Sequence, residues 1–359
     1  MSVRKKEKKI PQPESFQGTQ LCLFQNFLCN SDAERDNLSN TIELWDGVPK
    51  YYTSRQEMTK KREKGLLPTI ERDFEYRGRM FTVKIRPARL TDENGNDKEF
   101  YPSAREELVE DALRKIATEQ NYGFLEPQES GVVFTLYMLR KELRRRGHTL
   151  SYQEVSESLD IMAGCRVEII STDGSGDYKS PILSSLMRVS RQLYREDPKA
   201  RWIAYFNPLV THSIQALSFR QYDYHSMMLH TTQLSRWLHK RLSHNYVNAS
   251  VLQPYSILFS TVQRDSGLLE YGRFRDAVRK FDEALEELKE DQVVMFFEKE
   301  ERRAEKNKIL DILYTITPSQ KFISQVKAAN KRHSDGINEI NPSRRDSVAG
   351  LNSRTNVML

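Results

Sequence analysis

Apolar positions along the chain alternate between a period of two and a period near 3.6, and the switches mark its elements. From Phe74 to Arg86, alternation at Phe81, Val83 and Ile85 around Arg77-Gly78 predicts a β-hairpin. Asp92 to Asp97 is a turn-rich loop. Pro102-Ser103 opens a helix with Leu108, Ala112, Leu113 and Ile116 at spacings of three and four. A second helix is predicted over 132–146, ended by Gly147. Ser151-Tyr-Gln-Glu154 has the form of a capping box and starts a third helix with Val155, Leu159 and Met162 inward. Strands follow at 165–170, around 182–189 and at 202–206, with a turn at 173–177.

The order then recurs. A long helix is predicted over 224–244, with Met227, Leu234, Leu238 and Leu242 on one stripe, then a strand at 255–259 and a short helix ended by Gly267. An amphipathic helix over 273–289 turns Phe274, Ala277, Val278, Phe281, Leu285 and Leu288 inward. Strands at 293–297 and 309–316 flank a charged hairpin tip, and a closing helix covers 319–329. Three helices followed by a β-hairpin is the order of a winged helix. The expected class is therefore α+β, with two tandem winged-helix domains at 70–206 and 207–330. A basic flexible arm (1–50) and a disordered tail (331–359) are expected outside them, both poor in apolar periodicity.

Length and composition narrow the function. The chain has 359 residues, a net charge of +6 and enough apolar material, 38%, for packed cores. No apolar run approaches the roughly 18–20 residues of a transmembrane helix. The basic start lacks an apolar segment that would make it a secretory signal. Three cysteines, Cys22, Cys29 and Cys165, exclude a disulfide-built domain, and a reducing cytoplasm is the expected compartment. No phosphate-loop spacing occurs: Gly174 to Ser180 shares letters with one but not its spacing. No H-E-x-x-H is present. His225, His230, His239 and His244 stand at offsets of 5, 9 and 5, so neighbouring imidazoles on one helix would diverge. Nothing pairs a nucleophile with a base, and no H-x-H of a strand-nicking replication enzyme occurs. The expectation is a protein that is not an enzyme, with no metal and no cofactor.

Charge placement carries the positive signal. The 273–289 helix begins Arg273-Phe-Arg-Asp-Ala-Val-Arg-Lys280 and ends Glu286-Glu-Leu-Lys-Glu290. Cations at the positive end of the dipole oppose the stabilising arrangement by about 0.3–1 kcal/mol each at exposed sites. A helix that presents its first turns to duplex DNA has this pattern, with Arg275, Arg279, Arg273 and Lys280 available to guanine edges and phosphate. Local pairing of Asp276 with Lys280 and of Arg279 with Glu283 explains part of it and leaves Arg273 and Arg275 unmatched. The hairpin tip adds Lys299, Arg302, Arg303, Lys306 and Lys308 as backbone contacts, diluted by Glu298, Glu300, Glu301 and Glu305. Arg264, in the preceding short helix, belongs to the same expected surface. In the first unit Glu154, Glu157 and Asp160 make the third helix acidic, which assigns that unit an auxiliary or subunit-interface role; Arg144 to Arg146 can touch phosphate or simply complement a helix terminus. In the arm, Gln20-Leu-Cys-Leu-Phe24 resembles the Q-L-x-L-F peptide by which bacterial replication proteins bind the polymerase sliding clamp, with Gln20, Leu21, Leu23 and Phe24 as contacts.

Longer runs resemble plasmid replication initiators of the theta type, built from tandem winged helices. They are Ile42-Glu-Leu-Trp-Asp46, the segment from Phe100 to Arg114, Ser213 to Leu217, Arg236 to Asn248, and Arg264 to Leu268, within about residues 40–332. The resemblance implies binding to repeated origin sequences in double-stranded DNA and origin opening with the host initiator and helicase. It further implies a monomer–dimer balance with inactive dimers, and major-groove reading by the C-terminal unit. A winged-helix transcriptional autorepressor is the alternative, and a strand-nicking enzyme a third.

Overall fold

The computed structural model of the protein describes residues 32–340 other than 93, 120, 121, 127, 190–200 and 305–307. It is a mixed α/β structure of many helices around several small antiparallel sheets. In chain order the first elements are α1 (Asp32–Asn37), β1 (Leu38–Ile42), α2 (Glu43–Gly47), α3 (Arg55–Lys61), β2 (Ile70–Tyr76), β3 (Arg79–Arg86), β4 (Ala88–Thr91) and β5 (Asp97–Phe100). Next come α4 (Ala104–Ala117), β6 (Gly123–Leu125), β7 (Ser130–Phe134), α5 (Leu136–Arg145), α6 (Tyr152–Gly164), β8 (Arg166–Ser171), β9 (Asp177–Ser180), β10 (Leu183–Met187) and β11 (Trp202–Phe206). The β2–β3 hairpin turns at Arg77-Gly78, both at positive φ, as the sequence predicts. The Ser151 and Glu154 capping box is formed, and it starts α6 with Val155, Leu159 and Met162 buried. One sheet has the order β2-β3-β8-β9 and another β10-β11-β7-β6.

The chain continues with α7 (Pro208–Gln215), β12 (Phe219–Asp223), α8 (Tyr224–Leu229), α9 (Gln233–Asn245), β13 (Tyr255–Leu258), α10 (Phe259–Ser266), α11 (Phe274–Glu290), β14 (Val294–Arg303), β15 (Ile309–Pro318) and α12 (Gln320–Ile340). Here the sheet order is β13-β15-β14. One core runs from Ile42 to Met228 and a second from Leu234 to Val326.

Several expectations shift. Residues 32–50, expected in the flexible arm, are folded: β1 pairs with β12, and Trp45 is fully buried with Nε1 donating to Glu110 Oε1 at 2.7 Å. The segment is too short to show an apolar period, and its partners, β12 and Glu110, lie far along the chain. The predicted 132–146 helix is strand β7 followed by α5. Val132, Val133 and Phe134 are buried and pair with β11, and the Thr135 hydroxyl caps α5 by accepting from the Met138 amide. The predicted 224–244 helix is broken at 230–232, where His230 ends α8 in extended backbone and Thr232 caps the start of α9. The cores divide between Met228 and Leu234, so α7, β12 and α8, expected with the second unit, pack with the first. Residues 331–340, expected in the tail, extend α12.

The two cores are bolted together by buried charge. Arg114 donates to Asp46 at 2.9 and 2.7 Å and to Asp111 at 2.9 Å, while Lys240 on α9 reaches Asp111 at 2.5 Å and Glu107 at 3.3 Å. Burying these ions is tolerable only because each has opposite charge in contact. Burial raises the Asp46 carboxyl, but Arg114, Lys240 and Lys50 together outweigh it and hold the group well below its ordinary range.

Candidate nucleic-acid interface

The second body places α11 by its inner stripe. Ala277, Phe281, Ala284, Leu285 and Leu288 are buried, and the Phe281 ring meets Tyr314 edge-on at 4.6 Å and Phe259 at 6.2 Å. Gly267 ends α10 in the left-handed region, and a Cβ there would fall 2.8 Å from Tyr52 Cβ, so the turn into α11 requires glycine. The opposite face of α11 meets solvent.

Arg275 in the first turn and Arg273 just before it are both exposed, and among the described residues no carboxylate lies within ion-pair distance of either. Arg273 stands at the N-cap position without a side-chain cap. Arg279 spans Asp276 at 3.5 Å and Glu283 at 3.8 Å, with its side chain 65% exposed; these are loose surface pairs. Lys280 does not pair with Asp276. It donates to Glu283 at 2.7 Å, and that hydrogen bond raises its ammonium pKa.

The β14–β15 hairpin lies beside α11, and its cations divide. Arg302 and Lys308 are exposed without an ion pair among the described residues. Arg303 pairs with Glu301. Lys299 donates to Asp282 Oδ2 at 2.8 Å, and Asp282 Oδ1 accepts from Tyr314 Oη at 2.8 Å. Lys299 therefore ties the hairpin to α11. Lys306 lies outside the described residues, as do Gln20, Leu21, Leu23 and Phe24.

Arg264 is placed elsewhere. Its guanidinium donates to Glu75 on β2 at 2.9 Å and to Asp265 at 2.7 Å, within the seam between the bodies. Arg72 bonds Glu270 at 2.7 Å and Arg241 bonds Asp265 at 3.0 Å in the same seam. The proximity of Arg264 to α11 in sequence hid this, because Glu75 is supplied from a distant strand. The Arg144 to Arg146 cluster is also largely consumed: Arg145 pairs with Asp36, and Arg146 is buried against Glu142 at 2.8 Å. Nor is the α6 face an open acidic surface. Glu157 accepts from Arg55 at 3.1 Å and Arg105 at 3.0 Å, Asp160 accepts from Arg188 at 2.9 Å, and Glu154 is a cap.

Sequence reasoning missed Asp282 and Glu287. Glu287 accepts from the hydroxyls of Thr231 at 2.8 Å and of Ser235, fixing the start of α9 against α11. It also missed a histidine contact. Because the helix breaks at 230–232, His230 Nε2 lies 2.8 Å from His239 Nδ1, and His230 Nδ1 lies 2.7 Å from Asp291. Among the described residues no group of three or more His, Cys, Asp or Glu side chains is arranged to hold a metal ion. No described helix is long and apolar enough to cross a membrane.

No protein-family model matches the chain, and no curated protein matches it. Solved structures similar to it include a selenomethionine form of domains 2 and 3 of RctB, at a TM-score of 0.47 and 11% identity, covering 76% of this chain and 97% of that one. A second structure of RctB domains 2–3 has a TM-score of 0.44 and 11% identity over 79% of this chain and 99% of that one. The Pi initiator protein in complex with iteron DNA has a TM-score of 0.38 and 10% identity over 80% and 99%.

Proposed function

We propose that the protein is a double-stranded DNA-binding initiator of plasmid replication, built from two winged-helix units, of which the second reads repeated origin sequences. The observation that carries this reading is the first two turns of α11. Arg273 at the N-cap and Arg275 in the first turn are exposed and free of ion pairs, Arg279 is loosely held, and Arg275 and Arg279 stand on the solvent face of a helix whose other face is locked in the core. Such a helix can enter a major groove, with arginine forks on guanine O6 and N7. Arg302 and Lys308 on the adjoining hairpin supply backbone contacts. Arg264 and Lys299 are left out of the contact set, since each is committed to carboxylates.

The further steps rest on the sequence resemblance. Bound to adjacent repeats, the protein opens the origin with the host initiator and helicase, and Gln20, Leu21, Leu23 and Phe24 engage the sliding clamp in the bacterial cytoplasm. Its monomer–dimer balance sets which form binds. The chemistry is non-covalent, through release of phosphate counterions and recognition of base edges.

Footprinting on the plasmid that carries the gene, followed by gel shift on the protected repeat, tests the reading. Arg275→Ala with Arg279→Ala removes two forks worth about 1–3 kcal/mol each, so specific affinity falls by roughly 30-fold or more while the fold survives. Unchanged affinity of the double variant rejects it.

A further inference from the structure

Phe274 departs from its sequence pattern in an informative way. Its position places it on the inward stripe of α11 with Phe281 and Leu285, yet the residue is 42% exposed. The ring is not loose. Phe259 meets it edge-on at 5.2 Å, which holds one side and leaves the other to solvent. It is flanked in sequence by Arg273 and Arg275, and Tyr271 just before them is 44% exposed. A lone exposed aromatic needs no explanation. A half-exposed ring, braced from one side and next in sequence to two arginines without ion pairs, has an apolar surface where the surroundings favour an anionic partner. Duplex DNA offers both properties at one place. In the major groove thymine presents a C5-methyl group among hydrogen-bonding edges and phosphates, and the first residues of a reading helix are those that reach base edges.

We propose that Phe274 is a specificity-determining residue that packs against a thymine C5-methyl group beside the bases met by Arg275 and Arg279. The inference rests on the DNA-reading role of α11 and adds to it a base type and the side chain that selects it. Arginine forks distinguish guanine but cannot detect a thymine methyl; a braced phenyl ring does so by dispersion and by excluding water.

The test uses the full chain and the protected repeat. Each thymine is replaced in turn by deoxyuridine, which removes only the methyl group and preserves base pairing. With wild-type protein, affinity falls about fourfold at one or two positions, the effect of exposing one methyl-sized group. Phe274→Ala binds the thymine and deoxyuridine duplexes equally at those positions, and Phe274→Leu, which keeps an aliphatic body against Phe259, retains part of the discrimination. Wild-type indifference at every thymine overturns the proposal without needing any variant, and so does full discrimination by Phe274→Ala. In either case continued specific binding leaves the DNA-reading role of α11 standing. Equal binding of wild-type protein to the repeat and to unrelated duplex overturns both.

Discussion

Acidification from pH 7 to 5 is expected to destabilise the fold through two buried histidines on α9. Burial holds His239 and His244 neutral, each pushed down to about 3. His239 lies 2.8 Å from His230 Nε2, whose proximity opposes a second positive charge, and His244 Nε2 lies 2.7 Å from Thr41 Oγ1. In the unfolded chain both rings titrate near 6.5. Above that value neither state is protonated and nothing is lost. Between about 6.5 and 3 the unfolded chain binds protons that the folded chain refuses, so stability falls as pH falls, by about 1.4 kcal/mol per unit per ring. For two rings taken from 6.5 to 5 the loss is about 4 kcal/mol, a large share of the ~5–15 kcal/mol typical of a folded domain. Carboxylates that burial raises, Glu119 and Asp160 among them, act in the opposite sense as they take up protons. The decisive measurement is therefore a difference. Urea unfolding between pH 7.5 and 5, followed by tryptophan fluorescence, should give His239→Gln a pH slope shallower than wild type by about 1.4 kcal/mol per unit. Parallel slopes would refute the reasoning.

Arg114→Met leaves Asp46 and Asp111 buried with less opposing charge, and a loss of about 3–5 kcal/mol in urea unfolding is expected; a loss below about 1 kcal/mol would mean water reaches those carboxylates. Lys299→Gln should leave the salt dependence of DNA binding unchanged, because its ammonium is held by Asp282, whereas Arg302→Gln should reduce the slope of log affinity against log salt by about 0.9. A slope reduced by Lys299→Gln would return that residue to the phosphate contacts.

Local rules were legible where the stabilising partner lies nearby in sequence. The Ser151 and Glu154 capping box, the Arg77-Gly78 turn, the Gly267 stop and the inward stripe of α11 all satisfy themselves within a few residues. The failures share the opposite property. Trp45 is ordered by Glu110, Arg264 is claimed by Glu75, and β7 is drawn from a helical pattern by its pairing with β11. His230 and His239 meet because extended backbone at His230 and the Thr232 cap break what periodicity reads as one helix. Charge counted along the chain was a poor guide to charge on the surface, since Glu157, Asp160, Arg145 and Arg146 each find a partner in three dimensions.

That contrast is what gives α11 its weight. The helices α6 and α11 occupy corresponding places in their element order, each preceding a hairpin, and both carry charge outward. On α6 the N-terminus is capped by Ser151 and its outer carboxylates are matched by Arg55, Arg105 and Arg188. On α11 there is no side-chain cap, Arg273 and Arg275 are unmatched, and their charge opposes the helix dipole. A fold able to neutralise one such surface so thoroughly has the means to neutralise the other. Leaving the first turn of α11 open costs about 0.3–1 kcal/mol for each exposed arginine, and only an anionic partner that approaches this end of the helix recovers it.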